Sequence, residues 1–106
     1  MSRGKPTERA GRRASARAHA KLARDLERLA RLAPGGAADR PIAIVSPAQV
    51  EVMAAARPCP LCRGSLRVDE HVALTSGGVR LRVARVACTA CGSRRAVYFA
   101  LREGLH

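Results

Sequence analysis

The sequence predicts a small α+β fold, in which a three-stranded antiparallel sheet follows a short helix and a basic N-terminal helical arm. Three observations support this prediction. Alternating apolar residues between two cysteine pairs predict a β-hairpin, a further alternating run follows the second pair, and a leucine stripe with helical spacing lies in the first third. The length of 106 residues suits one small domain with a tail.

The composition is strongly basic, with 20 Lys and Arg against 8 Asp and Glu and a net charge of +12. Eighteen of these residues are Arg, and Ala occurs 21 times. High-GC codon usage alone would enrich both, but it does not explain the scarcity of acids. The charge therefore favours a polyanionic partner. We expect no membrane span, because no apolar run reaches about 18 residues, and an intracellular, reducing (cytoplasmic) location, because no secretory signal is visible.

The N-terminal third divides into a basic tail and an amphipathic helix. Residues 1–13 have no apolar period and are predicted to be disordered. Residues 14–33 are predicted to form a basic helix with one apolar stripe, made of Ala18, Leu22, Leu26, Leu29 and Ala33. This arm suits a nucleic-acid tether, a helix packed on the domain or on a second copy, or a mitochondrial transit peptide, although its three acidic residues count against the last.

Residues 34–41 are predicted to be a linker, because Pro34 and the following glycines end the helix. The domain would then span residues 42–106 and begin with a short strand at residues 42–45. A helix follows to about Ala56, with Ser46 as its N-cap, Pro47 as its first residue and Gln49 completing a capping box. Its predicted buried residues are Val50, Met53 and Ala54.

The predicted hairpin has one strand with apolar Leu66, Val68, Val72 and Leu74, a turn at residues 75–78, and a second strand with Val79, Leu81 and Val83. Pairing Leu74 with Val79 brings the two cysteine pairs together. In this register Glu70 faces Val83, which predicts a bulge or an ion pair with an arginine. His71 is expected on the exposed face beside Arg67 and Asp69. The third strand covers residues 94–101.

Cys59 and Cys62, followed by Cys88 and Cys91, form two C-x2-C pairs that a hairpin would close around one metal ion. One Zn²⁺ with four thiolates is predicted, with iron as the chemical competitor. Disulfides or free thiols are the less favoured alternative, since no secretory signal is present. A four-cysteine site leaves no position for substrate, so the metal is structural. Gly64 and Gly92 are expected to supply positive φ, and Arg63, Arg94 and Arg95 to offset the negative cluster.

The segments CPLCRG and CTACGSRR, joined by the hairpin and followed by VYFAL, resemble a zinc ribbon over about residues 57–102. The resemblance implies that the four cysteines are the zinc ligands. It implies no particular function, because zinc ribbons occur in proteins of many kinds. Residues 42–57 lie outside the general pattern of the superfamily.

The predicted function is binding of nucleic acid, or of an acidic protein surface, by arginines that contact phosphate groups. The candidates are Arg12, Arg13, Arg67, Arg80, Arg82, Arg94 and Arg95. With so few aromatic side chains, such binding should be weakly specific and salt-dependent. The alternative is a protein-interaction module that uses the sheet edge and the leucine stripe. No catalytic constellation is recognisable, so neither an enzyme nor a small-molecule substrate is expected; the oligomeric state stays open.

Overall fold

The computed structural model describes residues 8–102, which form a small α+β fold with two helices and a four-stranded mixed sheet. In chain order the elements are α1 (Glu8–Leu32), β1 (Ile42–Ile44), α2 (Gln49–Ala56), β2 (Leu66–Ser76), β3 (Val79–Cys88) and β4 (Arg94–Leu101). The strand order is β1-β4-β3-β2, and β1 runs parallel to β4 while the other pairs are antiparallel. Neither helix in this part of the chain is long and apolar enough to cross a membrane.

The prediction of a three-stranded antiparallel sheet is wrong in one respect, because β1 joins as a fourth, parallel strand. Its pairing with β4 places Ile42 beside Phe99 and Ile44 beside Leu101. A three-residue run cannot stand alone, but the outer edge of β4 supplies its backbone partners. The ladder is prolonged by the amide of Arg102, which donates to the Ile44 carbonyl at 2.8 Å. Ile44 is buried in the core as a result.

The hairpin turns more tightly than predicted. Ser76 pairs with Val79, so the loop contains only Gly77 and Gly78, with φ of 56° and 80°. Positive φ at both central residues is typical of a type I′ turn, which the twist of a hairpin favours. Leu74 consequently pairs with Leu81 rather than with Val79.

A β-bulge lies between Val68 and Glu70 and reverses the faces of β2. Before it, Val68 pairs with Val86 on the core side; beyond it, Val72 pairs with Val83 and faces the other side of the sheet. Glu70 therefore lies opposite Arg85, with their charged groups 3.9 Å apart. Both of the alternatives expected at Glu70, a bulge and an ion pair, are present.

The bulge also corrects the expectation that His71 lies on the exposed face. His71 pairs with Ala84, a fully buried residue of the core face, and is itself half-buried. Its Nε2 atom is buried and has no hydrogen-bond partner among the described residues.

The core lies between the sheet and α2. Val50 and Ala54 of α2 are fully buried and Met53 is partly buried, as predicted. They share one cluster with Val86, Val97 and Phe99 of the central strands. Two hydrogen bonds of the predicted capping box form, since the Gln49 Oε1 accepts from the Ser46 amide and the Ser46 Oγ from the Ala48 amide, both at 3.2 Å. The expectation that Ser46 is the N-cap and Pro47 the first helical residue is nevertheless wrong, because the regular helix begins at Gln49 with Ala48 as its N-cap.

Helix α1 begins at Glu8 rather than at residue 14, which corrects the expectation of disorder over residues 8–13; residues 1–7 lie outside the described part. Arg and Ala have high helix propensity, and Glu8 is favourably placed in the first turn. No side chain of α1 is buried. Helix α1 nevertheless contacts the sheet domain (residues 42–102), because Glu27 forms an ion pair with Arg95 of β4.

The segment after α1 packs against the sheet domain instead of hanging free. The Arg57 guanidinium donates to the Pro34 carbonyl at 2.8 Å, and the Tyr98 amide donates to the Gly35 carbonyl at 2.8 Å. Gly35 is buried with a φ of 82°, and a Cβ there would lie 2.7 Å from the Ile42 side chain. The orientation of α1 is therefore held by contacts at its C-terminal end.

Candidate metal centre

The four cysteine sulfurs gather at the end of the sheet opposite the hairpin turn, all within 4.8 Å of one another. The Cys59 and Cys91 Sγ atoms are 3.8 Å apart, and those of Cys62 and Cys88 are 3.4 Å apart. In a tetrahedral site with metal–sulfur bonds of about 2.3 Å, neighbouring sulfurs would lie ~3.8 Å apart. All four cysteines are free thiols, because these Sγ–Sγ distances are well beyond the disulfide bond length of about 2.05 Å. The cluster therefore fits one metal ion.

The cysteines occupy two knuckle turns with the same backbone hydrogen bonds. In the first knuckle (Cys59–Gly64), the Cys59 amide donates to the Gly64 carbonyl and the Arg63 amide to the Cys59 carbonyl, at 2.9 and 2.8 Å. In the second knuckle (Cys88–Ser93), the Cys88 amide donates to the Ser93 carbonyl and the Gly92 amide to the Cys88 carbonyl, at 2.9 and 3.0 Å. The two turns are thus related residue by residue.

Backbone amides point at the sulfurs, as metal knuckles require. The Gly64 amide donates to the Cys62 Sγ at 3.4 Å, and the amides of Ala90 and Cys91 donate to the Cys88 Sγ at 3.3 and 3.4 Å. Such donors stabilise the thiolate form that binds metal.

The two glycines next to the knuckles play different parts. Gly92 has the expected positive φ, 76°, but in the first knuckle Arg63 adopts it, with a φ of 67°. Gly64 is needed instead for space, because a Cβ there would lie 2.9 Å from the Ala90 Cβ and 3.0 Å from the Cys88 Sγ. The expectation for Gly64 is therefore wrong, because the turn places its left-handed residue directly after the second cysteine.

The hairpin register brings the knuckles together. Cys88 is the last residue of β3 and pairs with Leu66, the first residue of β2. Just beyond this pair, the Thr89 amide donates to the Ser65 carbonyl at 2.9 Å. Ser65 also forms an isolated bridge with Pro58, so the two residues that flank the first knuckle are paired with each other.

Neighbouring groups shift the pKa values of three of the thiols, those of Cys59, Cys62 and Cys88. Desolvation opposes ionisation of the buried Cys59, but hydrogen bonds from the Ser93 hydroxyl and from backbone amides outweigh it and lower its pKa to about 6. At Cys62 the Gly64 amide favours the thiolate, but the neighbouring Cys88 sulfur and desolvation oppose it and raise the pKa to about 12. Hydrogen bonds from the Cys91 and Ala90 amides outweigh desolvation and lower the pKa of Cys88. A divalent cation would remove this mutual repulsion.

Ser93 is a site residue that the sequence did not indicate. Its Oγ lies 3.5 Å from the Cys59 Sγ and 3.3 Å from the Cys91 Sγ, so it touches one sulfur of each knuckle. Only the turn conformation places this hydroxyl, and a serine after Cys-Gly carries no recognisable signal of its own.

The predicted nucleic-acid-binding arginines do not form one patch. Arg67 pairs with Asp69 at 2.7 Å, and Arg95, with a side chain only 11% exposed, pairs with Glu27. Arg80 and Arg82 lie near the hairpin turn, and Arg67 lies opposite Ala87 on the other face, ~17 Å further along β3. Arg94 adjoins the second knuckle, and Arg12 and Arg13 project from α1.

Comparison of this chain with protein-family models, with curated proteins and with solved structures gives no match. The cysteine spacing, the two knuckles and the hairpin between them are compatible with a zinc ribbon. The donor set is compatible with a single structural metal ion.

Proposed function

We propose that this chain is a zinc-ribbon protein that binds nucleic acid, in which one structural Zn²⁺ holds the sheet domain and α1 contacts phosphate groups. Four thiolates in a tetrahedral cluster suit Zn²⁺, and they leave no coordination position for a substrate. The metal would therefore stabilise the fold, and binding would depend on arginines outside the centre.

The observation that carries this proposal is the charged face of α1. The helix has eight basic and three acidic residues, a net charge of +5, along a length of ~37 Å at about 1.5 Å per residue. At about 100° per residue, all the basic residues but Arg12 fall within an arc of ~120°. They are Arg9, Arg13, Arg17, Lys21, Arg24, Arg28 and Arg31, and all of them are exposed.

The sheet domain leaves this basic face uncovered. The half-buried residues of the C-terminal half of α1 include Leu26, Glu27 and Ala30, on a face rotated by ~120° from the centre of the basic arc at about 100° per residue. Asp25 is the one acidic residue of α1 in ion pairs with the basic face, at 3.2 Å from Lys21 and 3.6 Å from Arg28. A phosphate backbone could therefore approach most of the helix.

A salt titration of binding tests this function. Fluorescence anisotropy would follow labelled duplex and single-stranded DNA and RNA with zinc-loaded full chain, from low to physiological salt. The plot of log K against log salt should fall by about 0.9 per phosphate contact on duplex DNA. Absence of binding at low salt would refute the proposal.

A matched pair of variants assigns the binding to α1. Arg13→Gln/Arg17→Gln/Arg24→Gln removes three charges from the basic face, and Arg80→Gln/Arg82→Gln/Arg102→Gln removes three from the sheet domain. The first set should reduce the slope of log K against log salt by the amount that corresponds to about three phosphate contacts. The second set should change this slope much less. Equal effects would show that net charge alone governs binding.

The alternative function is protein interaction through the apolar side of α1. Leu22, Leu29 and Leu32 are 54%, 63% and 56% exposed, more than a helix packed on its own domain would leave. Replacing Leu22 and Leu29 by Gln leaves every charge in place. If the variant keeps nucleic-acid affinity, the basic face is sufficient; if wild-type chain self-associates or captures a partner and the variant does not, the alternative gains support.

A further inference from the structure

We propose a second binding site, a cleft between α1 and the first knuckle that takes a phosphate-bearing nucleoside. The cleft has a volume of about 780 Å³, within the range of small-ligand sites. One side is formed by the last turns of α1, including Leu26, Leu29 and Ala30, and the other by the first knuckle and the start of β4. This inference rests on the proposed function only in its choice of ligand class, because nucleic acids and free nucleotides share the phosphate-bearing nucleoside.

The charge of the lining selects an anion. Five arginines line the cleft and one carboxylate does, that of Glu27, which is already engaged by Arg95. The arginines come from four separate segments that the fold brings together: Arg31, Arg57, Arg63, Arg94 and Arg95. Such a concentration raises the local positive potential and favours phosphate, which guanidinium groups bind with directed hydrogen bonds.

Two of these arginines are fixed and three are available. Arg57 is held by its hydrogen bond to the Pro34 carbonyl, and Arg95 by its ion pair with Glu27. Arg31, Arg63 and Arg94 are exposed, and none has an acidic partner within 4.0 Å among the described residues. The cleft thus combines two held arginines with three exposed ones, of which Arg94 also acts electrostatically on the Asp69 carboxylate.

The remaining lining favours a ring beside the phosphate. Leu26, Leu29, Pro60 and Leu61 supply apolar surface, and Tyr98 contributes an aromatic side chain. The volume suits a ligand of the size of a single nucleotide. The ligand is therefore a free nucleotide or one unit of a single strand.

A competing explanation is that the arginines only balance the negative charge of the metal cluster. Cys59 also lines the cleft, and Zn²⁺ with four thiolates would carry a net charge of about −2. Under that explanation, removing arginines would weaken metal retention without affecting a ligand. The two explanations are therefore separable by one set of variants.

The test uses zinc-loaded full chain and three probes: a 5′-phosphorylated dithymidine dinucleotide, the same dinucleotide without its 5′-phosphate, and a 20-nucleotide single strand. Calorimetry would measure affinity, and amide NMR shifts would locate each probe. We expect the 5′-phosphorylated dinucleotide to shift the amide signals of residues around the cleft and to bind about tenfold more tightly than the dinucleotide that has only its internucleotide phosphodiester.

The variant Arg63→Gln/Arg94→Gln should reduce affinity for the phosphorylated dinucleotide at least ~10-fold. The matched variant Arg80→Gln/Arg82→Gln, with the same loss of charge at the far end of the sheet, should reduce it less than about twofold. Arg31→Gln lies outside the knuckle and tests the same cleft if the knuckle variant fails to fold. Unchanged dinucleotide affinity with loss of zinc would overturn the proposal in favour of charge balance.

The failure of this proposal differs from failure of the proposed function. If the 20-nucleotide strand binds through α1 and the dinucleotide does not bind, the cleft is refuted and the function stands. If the dinucleotide binds in the cleft and no long nucleic acid binds, the site is a free-nucleotide site and the function falls.

Discussion

The two knuckles have the same backbone conformation, but different residues occupy its two sterically demanding positions. The residue after the second cysteine needs a positive φ, and it is Arg63 in the first knuckle and Gly92 in the second. The next position is Gly64 in the first knuckle and Ser93 in the second. Each knuckle therefore has one glycine, but at a different place. The turn geometry is common to both, and the surroundings of each turn decide where the glycine is indispensable.

The difference follows from what each turn contacts. Gly64 lies against the second knuckle, where a Cβ would meet the Ala90 Cβ and the Cys88 Sγ. Ser93 has room for a side chain and places its hydroxyl beside Cys59 and Cys91. The first knuckle thus carries backbone strain at Arg63, of about 1–2 kcal/mol for a left-handed residue with a Cβ, and the second adds a hydrogen bond to the sulfurs.

Removal of one cysteine ligand from either knuckle is expected to have the largest effect on folding. Cys62→Ser and Cys88→Ser should both abolish the folded sheet domain, although Cys62 is exposed and Cys88 is buried. Structural zinc sites contribute an apparent ~10–16 kcal/mol, about the whole stability of a small domain. Circular dichroism and native mass spectrometry would measure this. A folded, metal-bound Cys62→Ser chain would show that the knuckles are not equivalent as ligand sources.

The second largest loss of stability is expected where an added methyl group crowds the facing knuckle. Gly64→Ala should destabilise the zinc-loaded chain by about 1–3 kcal/mol, because the added methyl group overlaps the facing knuckle. Ser93→Gly is the matched change at the equivalent position of the second knuckle and should cost less. Urea unfolding would compare them. Equal losses would contradict the different roles assigned to the two positions.

Substitutions at the position with positive φ should change the stability of the chain in opposite directions in the two knuckles. Gly92→Ala introduces a Cβ in the left-handed region and should cost about 1–2 kcal/mol, whereas Arg63→Gly relieves the same strain and should stabilise the chain by ~0.5–1 kcal/mol. Thermal unfolding of the two variants would show it. A stabilising Gly92→Ala would mean that the turn does not need its left-handed residue.

The smallest expected effect is that of Ser93→Ala. The Ser93 hydroxyl makes one of the hydrogen bonds that together outweigh desolvation and lower the pKa of Cys59 to about 6, and this variant removes it. The pKa should rise, and because zinc binds the thiolate, the midpoint of zinc binding against pH should move upward. A competition titration with a zinc indicator between about pH 5 and 8 measures the shift of this midpoint. An unchanged midpoint would show that the backbone amides alone stabilise the thiolate form of Cys59.

The sequence was sufficient to predict the four-cysteine cluster, because cysteine spacing and strand alternation are local signals. The two C-x2-C pairs and the hairpin between them place all four sulfurs together. The register was less determined, since pairing Leu74 with Val79 or with Leu81 keeps both residues on one face and satisfies the same alternation. The bulge before Glu70 then changes which face Val72 and His71 take. The charge of Glu70 on an apolar face indicated a bulge only as one of two alternatives, so the change of face could not be predicted.

Long-range contacts were the least predictable part. The parallel pairing of β1 with β4 joins segments more than fifty residues apart, and the ion pair of Glu27 with Arg95 depends on how the turn after α1 is packed. Neither leaves a periodic pattern in the sequence. Glu27 and Arg95 both line the cleft proposed above, so the site could not be inferred before the fold was known.

The central claim is that one metal ion holds the two knuckles together and so folds the sheet domain. Native mass spectrometry of the purified full chain, with a chelator titration followed by ¹H–¹⁵N NMR, tests it most directly. We predict one zinc ion per chain and a loss of amide dispersion for residues 42–102 in step with zinc release. A sheet domain that keeps its dispersed spectrum without metal would contradict the claim.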